Sequence, residues 1–361
     1  MFYKSLSGNN VVCNLCARKC KVAEGELGFC RVRKNVDGKL FTLVYGLAAL
    51  NFVDLIEKKS LFHFYPGSSV YSICTDGCNF RCKFCINWQI RYRKEVQGQL
   101  LPPREVVALA NQNDCQGISY TYTEPTVFFE YAYDTARLAH EKGLFNNIVT
   151  NSYMSPEAVQ TIAPYLDAAT VDFKGGGDPV FYKRMSGVPR VEPIFECLLE
   201  LKKHGVHIEV TNLIVPGYGD SMDQIRSLTR WIRDNLGPDT PLHFIRFRVQ
   251  CPLPASLPSS TLDEKAYKVA LEEGLHYVYT PDHANTYCPN CHELLVERAH
   301  DPVTQYVTNV RLNLDNTCPN CGGKIPFTGN CGKPSKCVVC GGVGYPPSAL
   351  GSSTEYWGYE S

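Results

Sequence analysis

Three cysteines lie close enough in the chain to share one inorganic group. They are Cys78, Cys82 and Cys85, in the segment Cys74-Thr75-Asp76-Gly77-Cys78-Asn79-Phe80-Arg81-Cys82-Lys83-Phe84-Cys85. A C-x3-C-x2-C loop presents three thiolates, which can ligate three irons of a [4Fe–4S] cube. The fourth iron then has no protein ligand nearby and is open to a chelating small molecule. A zinc knuckle is the competing reading, with Cys74 as its fourth ligand. Cys74 also gives a C-x3-C-x3-C register with Cys78 and Cys82. It reads better as a core residue at a strand end, because burial is the usual fate of a free cysteine.

The chain holds 18 cysteines in 361 residues, and most of them cluster. Disulfide frameworks belong mainly to small secreted domains. The length of this chain and its two- and three-residue cysteine spacings point to thiolate–metal coordination. Cys288-Pro289-Asn290-Cys291 and Cys318-Pro319-Asn320-Cys321 are two knuckles flanking a strand-like segment. They read as a zinc ribbon closed by four thiolates, which would hold a region too small to build its own core. Cys337 and Cys340 form a third knuckle that could pair with Cys318 and Cys321 instead, and Cys331 lies nearby. Cys13, Cys16, Cys20 and Cys30 supply four ligands for zinc or for a second iron–sulfur cluster. Cys115, Cys197 and Cys251 stand apart. Cys251 follows the expected sixth strand and is a candidate hydrogen-atom donor to a product radical, against the plainer reading of an inert thiol.

The elements that must position these groups follow from strand–helix alternation. Strands are expected at Ser69–Cys74, Gly117–Thr121, Asn147–Thr150, Ala168–Phe173, His207–Leu213, Leu242–Phe247 and His276–Tyr279. Helices are expected at Arg104–Gln112, Val127–Lys142, after the capping Ser155, and at Pro193–His204, Met222–Leu236 and Asp263–Glu273. Repeated βα units imply a parallel sheet. The expected fold class is α/β, a partial (β/α)6 TIM-type barrel, with a doubly wound open sheet as the alternative. Functional groups then belong at the C-terminal ends of the strands. The expected boundaries are a Cys-rich segment at 1–65, the barrel at 66–282, a zinc-ribbon-like region at 283–345 and a loosely ordered tail at 346–361.

The cysteine spacing, the aromatic Phe84 before the last cysteine and the position after a first barrel strand resemble the radical S-adenosylmethionine (SAM) superfamily. That resemblance implies SAM chelated to the open iron through its amino and carboxylate groups. It also implies reductive cleavage of SAM to a 5′-deoxyadenosyl radical that abstracts hydrogen from a substrate. Superfamily members commonly use a glycine-rich turn after the second strand to contact the SAM amino group. Here that turn is Tyr122-Thr123-Glu124-Pro125, so Tyr122, Thr123 and Glu124 are the implied contacts, with a helix N-cap as the plainer role. Asn151 ends the third strand and is placed to touch ribose or methionine. Lys174 would neutralise the SAM carboxylate, oriented by Asp172, since residues two apart on a strand share a face. Asn212, at the end of the fifth strand before the apolar turn Val215-Pro216-Gly217, and His243, which opens the sixth, are further SAM contacts that the resemblance implies, with a structural histidine as the plainer reading of His243.

A narrower resemblance is to the AmmeMemoRadiSam system radical SAM enzymes, which are related to pyruvate formate-lyase activating enzymes. It is carried by the N-terminal cysteines, the run from Ile56 to Ser68, Cys85-Ile86-Asn87-Trp88, Val171-Asp172-Phe173-Lys174-Gly175 and Asn285-Thr286-Tyr287-Cys288. Tyr122-Thr123, in place of the usual double glycine, is itself that subgroup's pattern. The resemblance implies association with AMMECR1- and MEMO-type proteins or, through the activating enzymes, abstraction from a backbone glycine of a protein substrate. A flavodoxin- or ferredoxin-type low-potential electron donor is the implied partner.

Composition bounds the alternatives. Formal net charge is zero, with 44% apolar and 20% charged residues, which argues against broad binding to nucleic acid or anionic lipid. No apolar run approaches the ~20 residues that span a bilayer. The first residues lack the apolar stretch of a secretory signal. A cytoplasmic enzyme with no membrane or nucleic-acid partner is therefore expected. The contrasting reading from the cysteine knuckles alone is a zinc-dependent scaffold or nucleic-acid-binding module.

Overall fold

Parallel strands buried on both faces need near-continuous apolar sequence, and the chain supplies it. Every residue of Gly117–Tyr120 is buried, as are five of the six in Ser69–Cys74. The computed structural model describes residues 1–91, 93–248, 253, 260–300 and 304–329. One eight-stranded sheet dominates. From its first edge the order is Leu50–Leu55, Ser69–Cys74, Gly117–Tyr120, Phe145–Thr150, Ala168–Lys174, His207–Ile214, Leu242–Arg246 and Val278–Tyr279. Leu50–Leu55 is antiparallel to its neighbour. All later neighbours are parallel. The fold is thus the expected partial barrel of six βα units, extended by one strand at each edge. The first of these added strands lies within residues 1–65, so the Cys-rich segment is continuous with the barrel sheet.

Local chemistry sets the connections. Pro103 opens the helix Pro103–Gln112. The Ser155 and Ser221 hydroxyls accept the Ala158 and Gln224 amides at the starts of Pro156–Ile162 and Met222–Asn235. These caps each satisfy an otherwise unpaired amide. Gly117 is needed for a different reason: a Cβ there would lie 2.1 Å from the Phe145 ring on the adjacent strand.

The N-terminal module is built from the short strands Tyr3–Ser5, Val11–Cys13 and Lys21–Val22 and the hairpin Arg33–Val36 with Lys39–Thr42. It is tied to the loop after the third parallel strand. Ala17 N donates to Tyr153 O at 3.0 Å, and Ser155 N to Leu15 O at 3.0 Å.

The C-terminal sheet, Thr286–Tyr287, Leu294–His300 and Gln305–Val310, has its own small core with Phe62, Tyr277 and Tyr279. Beneath it lies a buried polar network centred on Glu209. This carboxylate accepts from Phe62 N (3.0 Å), His63 N (2.7 Å), His207 Nε2 (3.2 Å) and His243 Nε2 (2.8 Å). His63 Nε2 lies 2.6 Å from Tyr279 Oη, and Arg298 donates to Phe62 O at 2.9 Å. His243, expected beside SAM, belongs to this network. It is level with the cavity-lining Thr211 in the strand register, but its ring is held by Glu209, Phe62 and Tyr279 and does not line the cavity.

His63 gives the network a pH signature. Burial pushes its pKa down to about 3, despite the nearby Glu209 carboxylate. The unfolded chain takes up this proton near the ordinary histidine value of about 6.5. Stability from His63 is therefore complete above about pH 6.5. It falls by up to about 1.4 kcal/mol per pH unit as pH drops toward the folded value. Urea unfolding at pH 7.5 and 5.5 should differ by on the order of 1 kcal/mol through this group. His63→Gln should flatten that difference, and an unchanged slope would remove His63 from the account.

Candidate active site

The cysteine loop leaves the first parallel strand through Gly77, at φ +95. A Cβ on Gly77 would lie 2.7 Å from Val32 Cγ1 and 2.9 Å from Cys30 O, so the loop is pressed onto the N-terminal module. Its backbone is pinned elsewhere. Arg81 N and Lys83 N each donate at 2.8 Å, to Ser186 O and Met185 O. Arg91 donates to Cys82 O at 3.0 Å and Phe80 O at 3.2 Å. Phe84 stacks on Phe181 at 5.5 Å, and Phe80 meets Tyr153 edge-on.

The loop is thereby held with Cys78, Cys82 and Cys85 on the wall of a cavity of about 550 Å³. That volume falls within the range of small-molecule and cofactor sites. No other cysteine and no histidine lines it among the described residues. Three thiolates with neither a fourth cysteine nor a histidine beside them fit a [4Fe–4S] cluster with one open iron better than a closed structural zinc site. Burial pushes the Cys85 thiol up to about 11, and raises Cys78 with help from Glu124. Metal binding must displace those protons. Cys74 is fully buried beside Leu50 and does not line the cavity.

Strand ends supply the rest of the wall, as the barrel rule requires. Tyr122, at φ +62, donates its hydroxyl to Asp54. Thr123 Oγ1 donates to Thr75 O at 2.8 Å. Glu124 is the buried N-cap of a 3-10 turn, accepting from Thr126 N (3.1 Å), Thr150 Oγ1 (2.8 Å) and Asn151 N (2.8 Å). The helix cap falls on Glu124 rather than Thr123, and Glu124 still lines the cavity. Asn151 Nδ2 donates to Asn79 Oδ1 at 2.7 Å and lies 3.9 Å from Cys78 Sγ. Lys174 Nζ sits 2.9 Å from Asp172 Oδ2, and Thr211 Oγ1 donates to Asp172 Oδ1 at 3.0 Å. Burial disfavours the Lys174 ammonium, but Asp172 outweighs it and holds the pKa above the ordinary lysine value.

Asn212 is not brought to the cavity. Strand alternation turns Thr211 and Leu213 inward and Asn212 outward, where its Oδ1 accepts from Gly176 N at 2.9 Å. Val215 is buried away from the lining. Cys251 lies outside the described residues, as do Cys331, Cys337 and Cys340.

Lys58 and Lys59 have no assigned role in the sequence reading, yet both line the cavity. Their ammonium groups reach the two oxygens of Asp54 at 2.8 and 2.6 Å. The paired lysines hold Asp54 well below the usual carboxylate range, although burial opposes this. The run Ile56–Ser68 carries the family resemblance, but only the added edge strand brings it to the cavity mouth. Arg246 also lines the cavity, held by Asp263 and Asp282.

The two C-terminal knuckles converge. Their four sulfurs lie within 4.8 Å of one another, with Cys288–Cys321 at 3.5 Å and Cys291–Cys318 at 3.6 Å. Zinc–sulfur bonds of about 2.3 Å in a tetrahedron place sulfurs about 3.8 Å apart. The site therefore suits one zinc-sized ion in a ribbon-like extension.

The chain is similar to several known proteins. The family model of the radical SAM superfamily matches residues 72–232, which run from the end of the first parallel strand through the cysteine loop and the next four parallel strands. The Methanocaldococcus jannaschii protein MJ0808, described as uncharacterized, is 44% identical over 338 residues, covering 90% of this chain and 98% of that one. The GTP 3′,8-cyclase of Aquifex aeolicus is 25% identical over 178 residues, covering 48% of this chain and 54% of the cyclase. A radical SAM methyltransferase structure from Sphaerobacter thermophilus aligns with a TM-score of 0.49 at 16% identity, over 60% of this chain and 67% of that one. The chain belongs to the radical SAM superfamily. Membership implies an enzyme of SAM-dependent radical chemistry using a [4Fe–4S] cluster. Among the described residues no helix is long and apolar enough to cross a membrane.

Proposed function

We propose that Cys78, Cys82 and Cys85 hold the [4Fe–4S] cluster and that the cavity binds SAM against its open iron. The observation that carries this reading is a single wall bearing three thiolates, with Glu124, Asn151 and the Asp172–Lys174 pair around the same cavity. When bound, the cluster supplies the electron that cleaves SAM to a 5′-deoxyadenosyl radical able to abstract hydrogen. The chain's own residues bind and orient. Lys174 offers a cation to the SAM carboxylate and Asp172 fixes its position. Glu124 faces the amino group with the acceptor capacity left after its internal hydrogen bonds. Asn151 stands between the Cys78 loop and the cavity.

The finer reading is an AmmeMemoRadiSam system enzyme, supported by the Ile56–Ser68 run and Tyr122-Thr123. Its electron would come from a flavodoxin- or ferredoxin-type donor, and zinc would close the Cys288–Cys321 site. The test of SAM binding is spectroscopic. With SAM labelled at the methionyl carboxylate and amino nitrogen, the reduced cluster should show hyperfine coupling to both labels. A fully loaded, reduced cluster without coupling would sink the chelation reading.

A further inference from the structure

The N-terminal cysteines form a separate thiol cluster that the SAM site does not use. Cys13, Cys16, Cys20 and Cys30 line one small cavity, together with Arg33 and Asn79. They differ from the C-terminal four in spread. Among the described residues, only the set Cys288, Cys291, Cys318 and Cys321 brings three or more ligand atoms within 4.8 Å. A single zinc needs that convergence, because all four sulfurs touch one ion. In a four-iron cube each thiolate meets its own iron at a separate corner, so the sulfurs stand further apart.

The cavity wall also carries unmatched donors. Arg33 Nε and Asn79 Nδ2 are buried without a hydrogen-bond partner, in side chains 3% and 1% exposed. Buried N–H groups without acceptors are costly. The sulfides and thiolates of a cluster accept such bonds, which also tune its potential. A zinc ion offers no acceptor beyond its four thiolates.

The site adjoins the SAM-site loop. Arg18 donates to Asn79 O, and Arg81 donates both to Phe29 O and, at 3.0 Å, to Cys78 O. Gly77 is packed onto the Cys30 carbonyl.

We infer that Cys13, Cys16, Cys20 and Cys30 hold a second [4Fe–4S] cluster with every iron ligated by protein. With no open iron it cannot chelate SAM. Its chemistry is one-electron transfer, one electron accepted from a low-potential donor and one passed on. This inference does not rest on the SAM reading.

The test uses the full chain with Cys78, Cys82 and Cys85 all changed to alanine, reconstituted anaerobically with iron and sulfide. It should retain about four iron and four sulfide per chain, the content of one cube, and give a reduced-cluster EPR signal with dithionite. Adding Cys13→Ala and Cys16→Ala should remove both. A triple variant that carries zinc in place of iron at this site, or no metal there, overturns the inference. If the triple variant does not fold, reconstituted wild type decides the matter: about eight iron per chain supports the second cube and about four refutes it. Wild type that cleaves SAM with only about four iron would sink this inference and leave the proposed function intact.

Discussion

Alanine at Cys78, Cys82 or Cys85 will lower 5′-deoxyadenosine formation from SAM by more than ~100-fold, to the level of unreconstituted protein. Even outer partners of metal ligands are worth about 10–100-fold, and each of these residues is proposed as a direct ligand. Among the described residues no other cysteine lines the cavity to take over. Cys74 is the nearest cysteine in sequence, but it is buried against the edge strand and absent from the cavity wall. The N-terminal cysteines face a separate cavity. Cys197 is buried in the core and provides a control: Cys197→Ala should leave product formation near wild type. Full product from all three loop variants would refute the ligand assignment.

Glu209→Ala carries the largest expected loss of stability. The carboxylate is completely buried and satisfies two backbone amides and two histidines from three stretches of chain. Removing it leaves those donors in a dry interior, at about 3–5 kcal/mol. The same amides fix Phe62 and His63 against Tyr279 and Phe327, which join the barrel to the C-terminal sheet. Glu209→Gln keeps an amide oxygen as acceptor and should lose less. Equilibrium unfolding of both variants checks this, and a loss below about 1 kcal/mol for alanine would show that the network does not hold the join.

Most of the barrel was legible because its signals are local. Ser69–Cys74, Ser155 with its following helix, and Met222 onward follow directly from apolar runs, caps and glycine stops. Leu50–Leu55 was not legible. Four of its six residues are only partly buried, and its membership of the sheet depends on pairing with a strand that follows it. Missing that strand also hid Asp54, Lys58 and Lys59 from the site.

The cysteine loop and the Asp172–Lys174 pair were readable from spacing and strand period. His243 and Asn212 were not, for geometric reasons. A strand places alternate residues on opposite faces, and which of them reach the cavity also depends on what else holds their side chains. His243 is level with Thr211 but is taken up by Glu209, and Asn212 is out of phase with Thr211. The wide N-terminal and tight C-terminal cysteine sets each offer four thiolates, and their arrangement in space tells the two kinds of site apart.

Product analysis on the wild-type chain tests the central claim most directly. Protein reconstituted anaerobically with iron and sulfide, then given dithionite and SAM, should yield 5′-deoxyadenosine and methionine in equal amounts. Protein that holds a reduced [4Fe–4S] cluster and leaves SAM intact would contradict the account.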